Sequence, residues 1–230
     1  MSSGTLYLVA TPIGNLGDIT LRAVETLKAA DLIACEDTRH SRTLLDHYGI
    51  HKPLVSYHDF SEAKRVPMLI DKLKRGGTVA LISDAGTPGV ADPGFRLVRE
   101  AVVSGVRVEA LPGPAAFLAA LSVSGLPMHR FTFEGFFPVK AGQKKARLEA
   151  LKGEERTVIF YESPHRLLKT LAVIRESLGD IPIVIARELT KKFEEVYRGR
   201  AGEALAHFSS KKILGEFVIL WNLTEEERAG

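Results

Sequence analysis

The sequence predicts an α/β protein made of two lobes, each with a β-sheet flanked by helices. Short apolar runs alternate with amphipathic stretches along the chain, and several runs are apolar nearly throughout, as in strands covered on both faces. With 230 residues, 45% of them apolar and 26% charged, the chain has a globular composition and is long enough for one large domain or two small ones.

Strands that alternate with helices in the first half predict a mostly parallel sheet with right-handed crossovers. The predicted strands are apolar runs at residues 6–10, 32–35, 54–57, 79–83 and 106–111. The predicted helices are amphipathic stretches at residues 20–30, 41–48, 62–75, 95–104 and 115–124. The Ser-Gly-Leu-Pro sequence at 124–127 breaks the last helix, so the first lobe is expected to comprise residues 1–125.

A second series of strands and helices predicts a second lobe at residues 126–230. Its predicted strands cover residues 131–135, 157–161, 183–187 and 216–222, with a further short segment at 194–198. Its predicted helices cover residues 143–151, 164–178 and 202–208. Ser163 and Pro164 fit an N-cap followed by a first helical residue, which would put His165 and Arg166 in the first turn.

Charge is unevenly distributed along the chain. Residues 1–137 carry 14 Lys and Arg against 14 Asp and Glu, whereas residues 138–224 carry 16 against 11. A basic second half suits a polyanion such as RNA, because binding releases counterions. A solvated lysine-rich surface is the alternative.

Several function classes are disfavoured by what the sequence lacks. Cys35 is the single cysteine, so no disulfide framework is expected and a reducing cytoplasm fits best. No apolar stretch approaches the ~20 residues that span a bilayer, and no signal peptide is expected at the N-terminus. The histidines lack the spacing of a zinc motif, so no metal site is expected.

Three loops rich in glycine and proline follow predicted strands of the first lobe, at residues 11–18, 83–89 and 112–116. Open α/β sheets bind ligands at the carboxyl ends of their strands, and glycine lets a ligand approach the backbone. One such loop would be an ordinary turn; three on the same edge favour a ligand site.

The ligand is expected to be a nucleoside-like cofactor without a pyrophosphate. No phosphate-binding G-x-x-x-x-G-K-[ST] motif occurs, and Pro12 and Ile13 stand where a dinucleotide fingerprint needs glycine backbone. S-adenosylmethionine fits these conditions. From the three loops we expect cofactor contacts by Pro12, Gly14, Ser83, Asp84, Ala85, Gly86, Pro112, Ala115 and Ala116.

The order of these loops and of the later strands resembles the tetrapyrrole methylase superfamily. The blocks Cys-Glu-Asp-Thr-Arg at 35–39, Tyr-Glu-Ser-Pro-His-Arg at 161–166 and Arg-Glu-Leu-Thr-Lys-Lys at 187–192 resemble its ribosomal RNA small subunit methyltransferase I family, over about residues 5–223. The resemblance implies S-adenosylmethionine in a cleft between two α/β lobes, with contacts from Tyr161 and Ala186. It also implies a cytoplasmic bacterial homodimer that methylates the ribose 2′-oxygen of a cytidine in the decoding centre of 16S rRNA, in the small ribosomal subunit.

Charged residues beside the predicted strand ends are the candidate catalytic groups. A carboxylate at Glu36 could accept the hydroxyl proton and Arg39 could grip a phosphate. His165 and Arg166 would oppose a helix dipole, which suggests an anionic partner, and Lys191 lies in a third charged cluster. Two alternatives stay open: carbon methylation of a tetrapyrrole, which such a charged lining disfavours, and a non-catalytic ribosome-binding module.

Overall fold

The structure is a computed structural model that describes residues 4–223 and Glu225. The chain divides into two compact units, Met1–Ala115 and Ala116–Gly230. This division falls before helix α5 (Ala116–Ser124), whereas the boundary expected from the sequence falls after residue 125, and α5 packs against the strands of the second unit. Both units are α/β, as predicted.

The first unit contains a parallel sheet of five strands. These are β1 (Thr5–Val9), β2 (Leu32–Cys35), β3 (Leu54–Ser56), β4 (Val79–Leu81) and β5 (Arg107–Leu111). Their order in the sheet is β3-β2-β4-β1-β5, and each pair of neighbours is parallel. All five predicted strands are present, and each of their ends lies within two residues of its predicted position.

Helices and two apolar clusters cover both faces of this first sheet. The helices are α1 (Leu21–Ala29), α2 (Thr38–His47), α3 (Glu62–Lys74) and α4 (Phe95–Val103). One cluster contains Val9, Ile33 and Ala80, while the other contains Leu6, Ala34 and Leu81. Neighbouring residues of one strand thus enter opposite clusters, which explains why these strands are apolar throughout.

The second unit contains a mixed sheet of five strands. These are β6 (Phe131–Phe136), β7 (Thr157–Glu162), β8 (Pro182–Arg187), β9 (Glu195–Arg200) and β10 (Phe217–Trp221), in the order β6-β7-β10-β8-β9. Only β6 and β7 pair in parallel; β10 runs antiparallel to β7 and β8, and β9 runs antiparallel to β8. No helix separates β8 from β9, so a short turn can return the chain antiparallel.

The other helices that the structure describes in the second unit are α6 (Ala141–Ala150), α7 (Leu167–Leu178) and α8 (Ala201–Ser209). The core between these helices and the sheet contains a stack of aromatic rings among aliphatic side chains. The Phe137 ring stacks on Phe160 with centroids 3.7 Å apart, and Phe160 stacks on Trp221 at 5.6 Å. All three side chains are buried, so Trp221 is a core residue, as its place in an apolar strand predicts.

Candidate functional site

The three glycine- and proline-rich loops lie at the carboxyl ends of β1, β4 and β5. These strands are neighbours in the order β4-β1-β5 and run in the same direction. The loops therefore share one edge of the sheet, as the sequence predicts. This is the edge at which open parallel sheets bind ligands.

Hydrogen bonds join the first two loops. Thr11 and Gly86 exchange backbone hydrogen bonds of 2.9 and 3.0 Å, and the Thr11 hydroxyl donates to the Ser83 carbonyl oxygen at 3.1 Å. The Ser83 hydroxyl donates to the Gly86 carbonyl oxygen at 3.2 Å. Thr87 ties the second loop to the third, since its hydroxyl donates to the Pro114 carbonyl oxygen at 3.1 Å. The edge is thus a preformed surface.

Two glycines in these loops are required by geometry. Gly86 has a φ of +85°, which residues with a side chain rarely adopt. A Cβ on Gly113 would lie 2.7 Å from the Cβ of Ala10, closer than packed carbon atoms come. Gly86 therefore allows the turn of the second loop, and Gly113 allows the third loop to lie against the end of β1.

Thr11 holds the loops together, although the glycine and proline pattern does not single it out. Its side chain is buried, with 1% of the residue exposed. The available signal was a hydroxyl residue at the end of an apolar run and directly before Pro12. A buried hydroxyl needs a hydrogen-bond partner, and the neighbouring loop supplies one.

The expected cofactor residues fall into both units. Those of the first unit lie in the three joined loops: Pro12, Gly14, Ser83, Asp84, Ala85, Gly86, Pro112 and Ala115. Those of the second unit are Ala116, Tyr161 and Ala186.

Tyr161 and Ala186 lie on one face of the second sheet. Tyr161 is the register partner of Val218, and Val218 is the register partner of Ala186. Partners on neighbouring strands project to the same face. The Tyr161 hydroxyl also accepts the backbone N–H of Phe117 at 3.1 Å, which fixes the ring beside Ala116.

Glu36 lies in an acidic environment at the end of β2. Partial burial raises its pKa, and the nearby carboxylates of Asp84 and Asp59 raise it further. Asp84 also accepts the backbone N–H of Asp37 at 3.2 Å, which links the second loop to the segment after β2. A carboxylate with a raised pKa is a stronger base than an ordinary one.

Asp37 and Arg39 have different environments. Asp37 is the N-cap of α2 and accepts the N–H groups of Arg39 and His40 at 2.7 and 3.4 Å, as its residue type predicts. These two hydrogen bonds lower its pKa. The Arg39 side chain is exposed and lines a surface pocket of about 440 Å³ together with Arg42 and Asp46.

His165 and Arg166 lie just before α7, not in its first turn as predicted. The helix begins at Leu167 with Arg166 as its N-cap. The Ser163 hydroxyl accepts a hydrogen bond from Arg166 Nε at 3.2 Å and is thus engaged by a side chain, while Arg166 also bonds the Phe137 carbonyl oxygen. Arg166 at the N-cap still lies at the positive end of the helix dipole, and its bonds to Ser163 and Phe137 hold it there.

A buried ion-pair network lies beneath Arg166, and no sequence pattern predicts it. The Glu162 carboxylate, with none of its side chain exposed, accepts Arg166 Nη2 at 2.7 Å and the Thr170 hydroxyl at 2.5 Å. Lys144 Nζ lies 3.5 Å from the same carboxylate and donates to Thr170 at 2.5 Å. Burial lowers the pKa of Lys144. Arg166 is thus held in place from below by Glu162.

Phe136 and Phe137 are neighbours with opposite environments. Phe136 is 52% exposed, whereas Phe137 is 1% exposed and belongs to the core. Lys144 is also buried, while Lys140 and Lys145 are exposed. The segment therefore offers one aromatic ring and two lysines to solvent.

Lys191 is paired with acids. Its Nζ lies 2.9 Å from Glu188 Oε1 and 3.7 Å from Glu216 Oε2. The charged cluster that the sequence predicts after β8 is therefore present, and it is an ion-paired one.

Metal-binding clusters and membrane-spanning helices are both absent from residues 4–223 and Glu225. Within that part of the chain, no group of three or more His, Cys, Asp or Glu side chains is arranged to hold a metal ion. None of the helices in the same part is long and apolar enough to cross a bilayer.

Comparison with known proteins identifies relatives over nearly the whole chain. The family model for Tetrapyrrole (Corrin/Porphyrin) Methylases matches residues 5–205. A protein from Mesorhizobium japonicum named ribosomal RNA small subunit methyltransferase I is 55% identical over 216 residues, covering 93% of this chain and 74% of that protein. The protein of the same name from Thermotoga maritima is 47% identical over 217 residues, covering 94% of this chain and 97% of that protein.

Solved structures share the fold at low sequence identity. A diphthine synthase superposes with a TM-score of 0.75 at 17% identity, covering 98% of this chain and 93% of that one. The uroporphyrin-III-C-methyltransferase of Thermus thermophilus superposes with a TM-score of 0.66 at 23% identity, covering 94% of each chain. These similarities confirm the predicted fold class.

Proposed function

The chain belongs to the ribosomal RNA small subunit methyltransferase I family of the tetrapyrrole methylase superfamily, and from this membership we propose its reaction. It transfers a methyl group from S-adenosylmethionine to the ribose 2′-oxygen of a cytidine in the decoding centre of 16S rRNA. The small ribosomal subunit of a bacterial cytoplasm is its partner, and it acts as a homodimer.

The observation that carries the cofactor assignment is the charge of the three joined loops. Residues 11–18, 83–89 and 112–115 contain no lysine or arginine, and they contain Asp18 and Asp84. A phosphate-bearing ligand attracts cations in its loops, whereas S-adenosylmethionine carries a positive sulfonium and amino group. The left-handed backbone at Gly86 and the close approach of Gly113 to Ala10 support a cradle made of backbone.

The residues of this chain have distinct tasks in the proposed reaction. Bound S-adenosylmethionine supplies a methyl group activated by its sulfonium sulfur. As the oxygen–carbon bond forms and the carbon–sulfur bond breaks, the ribose hydroxyl loses its proton, and we assign Glu36 as the acceptor. The raised pKa of Glu36 supports this assignment, because it strengthens the base.

The cationic candidates are assigned to the RNA. Arg39 is exposed and in no ion pair with a described residue, which leaves its guanidinium available for a phosphate. His165 is exposed beside Arg166, whose guanidinium is oriented by Glu162. Lys191 is oriented in the same way by Glu188. The acids that orient Arg166 and Lys191 reduce the ordering of these two side chains that is needed when RNA binds.

Transfer of radiolabelled methyl from S-adenosylmethionine tests the proposal. The acceptors are purified small subunits, naked 16S rRNA and a tetrapyrrole precursor. We expect label on the ribose of a cytidine in the ribosomal RNA. Label on the tetrapyrrole alone would support the carbon methyltransferase instead, and intact cofactor binding without any label would support a non-catalytic ribosome-binding module.

A further inference from the structure

The turn between β8 and β9, residues 188–194, has an unusual backbone at two positions. Glu188 has a φ of 48° and Thr190 a φ of 68°, both in the left-handed region that residues with side chains seldom adopt. Such conformations persist only where the surroundings enforce them, and they concentrate at functional sites.

Hydrogen bonds of backbone N–H groups and carboxylates hold this turn, although the buried Thr190 hydroxyl has no partner among the described residues. The Glu188 N–H donates to the Glu216 carbonyl oxygen at 3.2 Å, and its carboxylate accepts Lys191 Nζ at 2.9 Å. The Thr190 N–H donates to Glu194 Oε2 at 2.6 Å. The two carboxylates of the turn are thus occupied by internal partners.

The same turn directs an aromatic ring and an ammonium group outward. Phe193 is 68% exposed, and Lys192 Nζ lies 5.7 Å from the centroid of its ring. In the part of the chain that the structure describes, no carboxylate forms an ion pair with Lys192. A rigid loop with an exposed ring beside an unpaired cation has the elements of a single-strand RNA site, where a base stacks and a phosphate is neutralised.

We propose that the 188–194 turn is a preformed receptor for one unpaired nucleotide of the ribosomal RNA. The base stacks on the Phe193 ring, and the Lys192 ammonium contacts a phosphate. This inference rests on the proposed function and adds to it a position that selects RNA by stacking. A protein partner or a second copy fits less well, because both chain neighbours of Phe193 are charged.

The test is the kinetics of methyl transfer to purified small subunits by Phe193 variants. We expect Phe193→Ala to raise the KM for subunits by about 5- to 150-fold, the range for loss of one stacked base, with kcat and the Kd for S-adenosylmethionine unchanged. Phe193→Trp is expected to keep the low KM, and Phe193→Leu to behave like Phe193→Ala, because leucine is apolar but has no π-face. Lys192→Gln is expected to weaken the salt dependence of subunit binding, so that the slope of log Kd for small subunits against log salt concentration is smaller by about 0.7.

Phe95→Ala is the matched control, because Phe95 is 70% exposed but lies on α4 of the other unit. A wild-type KM for Phe193→Ala would overturn the inference while leaving the proposed function intact. Full rescue by Phe193→Leu, or a changed oligomeric state in ultracentrifugation, would instead indicate apolar contact with a protein.

If the wild type itself transfers no methyl to RNA, the proposed function fails. Filter binding of subunits to wild type and Phe193→Ala then tests the turn alone, and equal binding overturns it.

Discussion

Glu36 is the proposed proton acceptor, and its ionised carboxylate also lowers the stability of the folded state. The reason is that this carboxylate lies partly buried near other acids. Its raised pKa means that the folded state favours the protonated form. Protonated Glu36 therefore contributes to the free energy of unfolding. This contribution is fully present below pH 4.5, the ordinary pKa of the side chain, and it is lost as the pH rises through the higher pKa that Glu36 has in the folded protein. At neutral pH the ionised side chain therefore opposes folding.

Replacement of Glu36 by glutamine is expected to separate activity from stability. Glu36→Gln removes the proton acceptor, so kcat for methyl transfer should fall by about 10²- to 10⁴-fold. It also removes the partly buried charge, so its Tm should exceed that of the wild type at pH 7 and equal it at pH 4. Radiolabel transfer and thermal unfolding at both pH values measure these effects.

Asp37→Asn is the control for that experiment, because asparagine caps a helix as well as aspartate does. Asp37 bonds the Arg39 and His40 N–H groups, and an amide oxygen can accept the same bonds. We expect near wild-type activity. Equal loss of activity in both variants would mean that the local negative charge, and not a proton acceptor at Glu36, supports the reaction.

The local sequence predicts the three glycine- and proline-rich loops, but it does not predict the buried ion-pair network around Glu162. Glycine and proline after apolar runs identify the ligand edge, because backbone conformation limits which residues can stand there. Lys144, Glu162 and Thr170 come from three different elements. Nothing in their local sequence distinguishes a buried lysine from its exposed neighbour Lys145, because only the packing of α6 and α7 on β7 decides which is covered.

The element that this network fixes is the connection from β7 to α7. Glu162 ends β7 and accepts the Ser163 N–H at 2.8 Å, and it also holds Arg166. These contacts delay the start of α7 to Leu167. The Ser-Pro pattern predicts a helix start three residues earlier than the structure has it, because the contacts of Glu162 with Ser163 and Arg166, together with the long-range bond from Arg166 to the Phe137 carbonyl oxygen, compete with the capping signal.

Lys144→Met and Lys145→Met form a matched pair at adjacent positions of α6. Lys144→Met removes one of the two cations beside the buried Glu162 carboxylate and leaves Arg166 as the other, which is expected to lower the free energy of unfolding of the second unit by about 1 to 3 kcal/mol. Lys145 pairs with Glu176 at the surface, so its replacement should change stability by less than about 0.5 kcal/mol. Urea unfolding followed by fluorescence of Trp221, the single tryptophan and a core residue of this unit, measures both. Equal midpoints for the two variants would contradict the importance of the network.

At the scale of the whole chain, the sequence predicts two α/β units but not their boundary. Helix α5 is apolar on most of its surface, as the sequence Ala-Phe-Leu-Ala-Ala-Leu-Ser-Val-Ser indicates, so periodicity does not show which sheet it covers. The glycine at 125 marks the end of this helix, but its contacts are with the second sheet. The mixed strand order of that sheet is likewise set by long-range pairing of β10 between β7 and β8, which no local pattern encodes.

The charge of the chain is also divided between the units. Residues 1–115 carry 13 Lys and Arg against 13 Asp and Glu, which leaves 18 against 15 for residues 116–230. Because phosphate binding by cations releases counterions, RNA affinity should depend on cations of the second unit more than on those of the first.

A pair of triple variants with the same net charge tests this asymmetry. Lys140, Lys169 and Lys212 are exposed in the second unit, and Lys28, Lys64 and Lys74 are exposed in the first. Replacing either set by glutamine takes the formal charge from +3 to 0, so total charge cannot explain a difference between them.

We expect the second-unit triple to weaken binding of small subunits and to reduce the slope of log Kd against log salt by about 0.7 to 0.9 for each phosphate that the variant no longer neutralises. The first-unit triple should bind like the wild type. Equal weakening by both would show that RNA responds to the overall field of the protein and not to a surface on the second unit.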